Sequence, residues 1–484
     1  MAIQINLRKL LHRKAWESCT SSPVVTAQGS FIVSDKFDLI NGSRAFLVAN
    51  ASSIYMYEGL EDGWSQLPNS GITGTFAAGS CGEFRGLSAM GGSITQAATA
   101  GSTTTLTTSR TIVRSLQGSR VRVVAGSGLG YEGEVLNNTM GANAVLTVTP
   151  ASSVAFDATT QFQVYSGSLW FFNAGTTAVG FSVYDLATNA WTARSVTGLP
   201  TAWGTDAQLI STMGSAAVFA SGTATAGAAT TITNSAKAWG TNMWANYQVR
   251  ITEGTGKGQI RVISSNTGTV LTVSASWAVT PDATSVYSIE GNDDQFFLLG
   301  NASANVYKYL ASTNTWSTLS PTAARGAASN GVTASWIDSV ELWNNETLVP
   351  SYSTTLYRQN GRYIYSFRGG ATSTLDVYDI AANTWVSDIN YGGKQETFST
   401  GSSAKDIDGK IYITKETTGR LFQFDVGRNR IVGLGTCTMQ SALGGTAVAG
   451  DKLFFLPFNE DATKLVYLYQ LRHSGADLAR MLLV

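Results

Sequence analysis

Hydrophobic and polar positions alternate along most of the chain with the period of two that marks a half-buried β-strand. The clearest stretch is Val183-Tyr184-Asp185-Leu186-Ala187-Thr188-Asn189-Ala190-Trp191, which returns as Val377-Tyr378-Asp379-Ile380-Ala381-Ala382-Asn383-Thr384-Trp385. Looser copies are Val306-Tyr307-Lys308-Tyr309 with Asn314-Thr315-Trp316, and Ile54-Tyr55-Met56-Tyr57 ending at Trp64. Each copy predicts a strand, a turn whose Asp and Asn side chains bond the local backbone, and a second strand opened by Trp. An apolar strand precedes each copy: Phe46-Leu47-Val48, Leu169-Trp170-Phe171-Phe172, Phe296-Phe297-Leu298-Leu299 and Tyr363-Ile364-Tyr365-Ser366-Phe367. Two degenerate units follow, Ile411–Ile413 with Leu421–Asp425 and Leu453–Leu456 with Leu465–Tyr469. Both lack the Trp, and Ile431 and Leu478 stand near its place. The count is six units, with seven as the alternative, and a repeat of this kind decides architecture before anything else.

Spacing separates the repeat from what interrupts it. Trp316 to Trp385 is 69 residues, Trp385 to Ile431 is 46 and Ile431 to Leu478 is 47. Trp64 to Trp191 (127) and Trp191 to Trp316 (125) are far longer. The excess is a duplicated insertion. Ala100–Thr107 answers Ala226–Thr233, and Val121-Arg122-Val123 answers Val249-Arg250-Ile251. Gly126-Ser127-Gly128-Leu129-Gly130 answers Gly254-Thr255-Gly256-Lys257-Gly258, and Val145–Val148 answers Val270–Val273. Asp157–Phe162 answers Asp282–Tyr287. Rich in Val, Thr and Ile with Gly-marked turns, each insertion predicts a small all-β module. The organisation expected is an N-terminal arm (1–28), the first blade and start of the second (29–92), and module one (93–167). The second blade and start of the third (168–220), module two (221–290) and the remaining blades (291–484) follow. Both modules enter ahead of equivalent strands, so they should project from one face of neighbouring blades.

Composition narrows the partners. Thirty-two basic and thirty-two acidic residues cancel, which gives no electrostatic reason to expect nucleic acid or an anionic membrane. Charged residues are 13% of the chain, about half the usual share, so the polar surface is mostly Ser, Thr, Asn and Gly. Such a surface suits a protein packed in an assembly or exposed outside a cell. No apolar run is long enough to span a membrane. Leu10 and Leu11 are flanked by Arg8, Lys9, Arg13 and Lys14, so the start of the chain does not read as a secretory signal. With Leu7 and Trp16, these residues read instead as an arm able to dock on a neighbour.

Candidate chemistry is sparse. Cys19, Cys81 and Cys437 are far apart and form no C-x-x-C pair, so neither a disulfide framework nor a zinc site is expected. His12 and His473 lie at opposite ends of the chain and no G-x-S-x-G elbow is present, which leaves no Ser-His-Asp arrangement and no copper site. The two Gly-x-Gly-x-Gly runs lie between strands with no helix to hold a phosphate, and read as β-turns. Asn292-Asp293-Asp294 and Asn459-Glu460-Asp461 lack the alternating ligand order of a calcium loop. Trp239, Trp244 and Trp277 of the second insertion are not Trp in the first; they read as core or as sugar-stacking platforms.

The repeated unit resembles the kelch repeat in its apolar strand, Tyr-Asp, Asn and Trp at fixed offsets, although the double glycine usual in that family survives only as Gly369-Gly370. The resemblance implies a β-propeller of four-stranded blades in which Trp64, Tyr184, Asp185, Trp191, Trp316, Tyr378, Asp379 and Trp385 are structural blade positions. The insertions look like a small β module recurrent in tailed-phage virion proteins. Together these give an all-β expectation: a six-bladed, kelch-like β-propeller with two inserted modules. The function expected is a non-enzymatic structural protein of a virion (tail, fibre or head surface), assembled in the host cytoplasm among multiple copies and other virion proteins. No catalytic residue, cofactor or metal is expected. Leu7, Arg8, Lys9, Leu10, Leu11, Arg13, Lys14 and Trp16 are the expected assembly contacts. The alternative is a propeller that binds or processes carbohydrate in host-surface recognition, with a surface glycan as partner.

Overall fold

The computed structural model describes the chain from residue 16 to residue 470, apart from stretches that include 19–22, 25–29, 35–44, 86–95, 212–217, 324–331, 336–362, 437–442 and 458–466 and short positions between strands. The described residues are all-β, with no α-helix among them. Arg8 to Lys14, His12, His473, Cys19, Cys437, Gly369-Gly370, Asn459–Asp461 and Leu478 lie outside them.

Six antiparallel sheets share one plan. The first contains Phe31–Ser34, Ala45–Asn50, Ser53–Glu58 and Gly63–Gln66, paired in that order. The second contains Cys81–Arg85, Ser168–Asn173, Gly180–Asp185 and Ala190–Arg194. The third runs through Gln208–Ser211, Gln295–Leu299, Val306–Leu310 and Thr315–Leu319, and the fourth through Val332–Ser335, Tyr363–Phe367, Leu375–Asp379 and Thr384–Ile389. In the fifth, Ser403–Ile407, Lys410–Lys415, Arg420–Asp425 and Arg430–Thr436 are joined by a parallel two-residue strand, Gly392–Gly393. The sixth is Leu443–Ala449, Lys452–Pro457 and Tyr467–Gln470, completed by Trp16–Ser18 from the other end of the chain. The first strands of the six sheets neighbour one another in sequence, and the sixth neighbours the first. The result is a ring of sheets, a β-propeller-like arrangement.

The second strand of a sheet explains why the sequence shows continuous apolar runs there. Ser168–Asn173 and Gln295–Leu299 are buried along their whole length, because each sheet presents both faces to neighbouring sheets. The core therefore lies between sheets. Phe46, Val48 and Met56 of the first meet Leu169, Phe171 and Trp191 of the second. Trp170, Phe172 and Phe181 of the second meet Phe296, Leu298 and Tyr309 of the third. Phe297 and Val306 of the third meet Ile364, Tyr378 and Trp385 of the fourth. A fully buried aromatic side chain of this kind stabilises by roughly 1.5–3 kcal/mol, so the ring is held by stacked interfaces rather than one central core.

Two further β units lie between first and second strands of one sheet. Between Cys81–Arg85 and Ser168–Asn173, six strands from Gln96–Gly101 to Gln161–Tyr165 close into a barrel. Between Gln208–Ser211 and Gln295–Leu299, seven strands from Val218–Thr223 to Val286–Glu290 form one sheet. The difference is local. In the first unit Gln96–Gly101 pairs with both Gln161–Tyr165 and Thr105–Thr108. In the second the same path is split into Val218–Thr223 and Ala226–Ala228, each pairing with one neighbour. Trp239, Trp244 and Trp277 are buried in the core of the second unit beside Ile232, Tyr247 and Tyr287, the core of the two readings open for them.

Candidate interaction surface: sheet corners and the paired units

The repeated Tyr, Asn and Trp form one device at the corner between third and fourth strands. Tyr57 pairs in register with Trp64, Tyr184 with Trp191, Tyr309 with Trp316 and Tyr378 with Trp385. The Tyr hydroxyl donates to the turn Asn: Tyr184 Oη to Asn189 Oδ1 at 2.5 Å, Tyr309 to Asn314 at 2.8 Å and Tyr378 to Asn383 at 2.6 Å. Those three Asn have φ of 53°, 54° and 49°, the left-handed conformation that Asn tolerates better than other side-chain-bearing residues. Burial pushes the Tyr309 and Tyr378 phenols up, which keeps them as donors. Asp185 and Asp379 accept from the backbone of the same turn, at Ala187 N (2.8 Å) and Ala381 N (3.0 Å).

The corner then fastens one sheet to the segment leaving the sheet before it. Trp191 Nε1 donates to Pro68 O at 2.7 Å and Trp316 Nε1 to Ser195 O at 2.8 Å. Asn314 Oδ1 also accepts from Ser195 N, and Asn383 Nδ2 donates to Ser320 O. Arg194 adds a cross-link, donating to Tyr309 Oη and to Ala311 O, both at 2.8 Å.

The two degenerate units show how the device is altered. In the fifth sheet Phe424 pairs with Ile431, at the Tyr and Trp positions. Hydroxyl and indole donors are lost together, while Asn429 keeps its positive φ (49°) and donates to Asn390 O. The linker closes on the sheet through its own backbone instead, Gly392–Gly393 pairing with Arg430 and Ile431. Gly393 has φ +94°, and a Cβ there would lie 2.1 Å from Ile431 O. In the sixth sheet Tyr469 pairs with Trp16. Trp16 thus holds the position expected near Leu478, and Trp16–Ser18 belong to a sheet rather than to a separate 1–28 arm. The correction has a simple cause: an edge strand needs only a few residues in register, and nothing local reveals which sheet they complete. Ala15-Trp16, like Ala190-Trp191, was the available signal.

The two further β units touch one another through equivalent parts. Their Gly-x-Gly-x-Gly turns abut: a Cβ on Gly130 would fall 3.1 Å from Gly258 Cα, so both positions require glycine for the approach. Each turn is pinned by an Asp of its own unit. Asp157 accepts from Ser127 Oγ and from Thr159, and Asp282 from Thr255 Oγ1 and Thr284. These hydrogen bonds, Ser127 first for one and Thr284 first for the other, hold both carboxyls below the usual range.

Beside the turns, the equivalent residues Arg122 and Arg250 share two carboxylates. Arg122 pairs with Glu132 and lies 3.5 Å from Glu290 Oε2. Arg250 reaches Glu290 Oε1 at 2.6 Å and Glu132 Oε1 at 3.1 Å. Burial of Glu290 works against its charge, but Arg122 and Arg250 outweigh it and its carboxyl is lowered overall. Each unit is also fixed to its own sheet. Arg110 Nη1 lies 2.9 Å from Asp185 Oδ2, and Val113 N donates to Ala187 O. In the second unit Gln248 donates to Asn292, and Gln295 to Asn246. Sequence reasoning missed this four-charge junction, because its members lie in two units and only the arginines repeat.

Among the described residues there is no group of three or more His, Cys, Asp or Glu placed to hold a metal. No family model matches the chain, and no curated protein matches it. Among solved structures, the chain is similar over 95% of its length to 93% of a chain in "Crystal Structure of Mitotic Checkpoint Complex", at 9% identity and TM-score 0.37. It is similar over 94% of its length to 98% of a chain in "Structure of U3-55K", at 8% identity and TM-score 0.37.

Proposed function

We propose that the chain is a six-bladed, kelch-like propeller that serves as a non-enzymatic scaffold in a tailed-phage virion, held among other virion proteins in multiple copies. The six sheets are its blades, and the N-terminal strand closes the last of them. The two β units are passengers on the second and third blades. The observation that carries the scaffold reading is the junction between those units. Four charged side chains and two abutting glycine turns tie them together, with Asp185 and Gln295 anchoring them to two neighbouring sheets. A catalytic site needs a convergent polar pocket. A scaffold needs fixed geometry and broad outer surfaces, and the polar effort of these units goes into fixing them in place. The glycan-stacking reading loses its aromatic candidates, since Trp239, Trp244 and Trp277 are in the core.

Purified particles test the proposal directly. Mass spectrometry should find the chain as a stoichiometric component, and density in the particle should show repeated propellers. Its absence from particles, joined to specific retention on a glycan array, would replace this reading with the carbohydrate one.

A further inference from the structure

The seam between the two β units has a symmetry that the ring does not supply. Gly130 and Gly258 hold the same place in their turns, donating from N to Val123 O and to Ile251 O. Leu129 and Lys257 are equivalent too, each donating from N to the first glycine of its own turn. The contacts across the seam are reciprocal. A Cβ on Gly130 would lie 3.2 Å from Lys257 Cγ, and one on Gly258 would lie 3.0 Å from Leu129 Cγ. What the first unit does to the second, the second does to the first, as about a local two-fold axis. A rotation carrying one sheet of a ring to the next would bring unlike parts together instead. The seam is therefore a property of the units and not of the sheets that carry them.

The charges at the seam extend the symmetry. Arg122 lies opposite Glu132 and Arg250 opposite Ile260 in register, so Glu132 has no acidic counterpart. Glu290 stands opposite Gln248 as Tyr165 stands opposite Arg120, so Glu290 has none either. Each unit brings one arginine and one carboxylate, and each carboxylate already touches both arginines. Glu132 pairs with Arg122 of its own unit and lies 3.1 Å from Arg250 of the other. Glu290 lies 2.6 Å from Arg250 of its own unit and 3.5 Å from Arg122 of the other. Two copies of the first unit about the same axis would set a second Arg122 where Arg250 stands, and both contacts of Glu132 would be kept. Two copies of the second would do the same for Glu290. Any two of these units thus make a neutral junction of two arginines and two carboxylates.

We propose that this face of each unit is a self-association surface, capped within the chain by the other unit, whose partner when uncapped is the same unit of a second copy. Carried on one ring, the two units meet at an effective concentration on the order of millimolar. The internal pairing therefore excludes a second copy while both faces are intact. Charge sets the selectivity, because a like-charged face is rejected where a neutral one is accepted. The pairing belongs to the units alone and does not depend on a virion role.

The test uses the full chain and substitutions of opposite sign. Arg250→Glu and Glu290→Arg each disable the second face and leave Arg122 and Glu132 of the first in balance. Both variants should gain, in sedimentation velocity, a dimerisation step that the parent chain lacks. Adding Arg122→Glu to Arg250→Glu makes both faces acidic and should weaken that step by roughly a hundredfold or more. Leu129 is 44% exposed beside the seam, and a photo-crosslinking residue there reports the geometry. In a mixture of unlabelled and isotope-labelled Arg250→Glu chains, it should join differently labelled chains at 126–131. If both variants sediment as the parent does, or if their association survives Arg122→Glu, the seam is not a self-association surface. Association through an unfolded second unit falls under the latter outcome, since Arg122→Glu would not reverse it. The scaffold reading is tested separately, by the presence of the chain in particles.

Discussion

At the scale of single residues, Trp191 and Trp316 each act through one hydrogen bond as well as through their bulk. Trp316→Phe keeps most of the packing against Phe181 and Tyr309 but leaves Ser195 O without its donor. Leaving a part-buried acceptor unmet costs about 1–3 kcal/mol at most, so the unfolding free energy should fall by up to that amount, read from a lowered denaturation midpoint at unchanged slope. Replacing Ile431 with Val should cost about 1 kcal/mol, because no donor is lost there. Glycine matters where linker meets sheet. Gly393→Ala should be the more damaging of two alanine substitutions, since its Cβ would lie 2.1 Å from a carbonyl oxygen, against 3.3 Å for Gly198→Ala at the corresponding place. Equal midpoints for the two variants would remove the argument from close approach. The Tyr, Asn and Trp of these corners were legible in the sequence, because hydroxyl, amide and indole lie within a dozen residues of one another. The partners Pro68 and Ser195 were not, because a carbonyl oxygen leaves no mark on residue identity.

At the scale of elements, the junction of the two β units makes a pH-dependent contribution whose direction follows from Glu290. Its folded pKa lies below the ordinary value because Arg122 and Arg250 overcome the effect of burial. Such a group stabilises the fold above its unfolded pKa, and that contribution is lost as pH falls through the folded pKa. Protection factors of the amides at the Gly126–Gly130 and Gly254–Gly258 turns, taken relative to the intrinsic exchange rate at each pH, should be high at neutral pH and fall in acid below the usual glutamate range. Glu290→Gln should flatten this dependence and cost about 3–5 kcal/mol at neutral pH, because it leaves two buried guanidinium groups facing one carboxylate. Arg122→Met should cost less, since Arg250 still contacts both acids. A steeper loss for Arg122→Met than for Glu290→Gln would show that Arg250 alone cannot hold the junction. The duplication of the units could be read from their sequences. Their contact could not, because the acids Glu132 and Glu290 stand at unmatched positions and only folding brings them to the two arginines.

At the scale of the whole molecule, the ends of the chain decide how the ring closes. Three of the four strands in the sixth sheet come from Leu443–Gln470, and the outermost is Trp16–Ser18. Without it, Tyr467–Gln470 becomes an edge with unpaired backbone groups, which sheets leave exposed at the risk of aggregation. The first and last described strands meet only in the native ring, so among the described pairings this contact carries the largest loop-closure entropy. Deleting residues 2–14 should therefore leave the melting temperature of the isolated chain unchanged, whereas deleting 2–20 should lower it by several degrees and promote association through the uncovered edge. The pair separates two roles that the basic, leucine-bearing arm would otherwise confound. Residues ahead of Trp16 would act between copies, and Trp16–Ser18 would act within one. If removing 2–20 left thermal stability untouched while 2–14 lowered it, the strand at Trp16–Ser18 would not be what closes the ring.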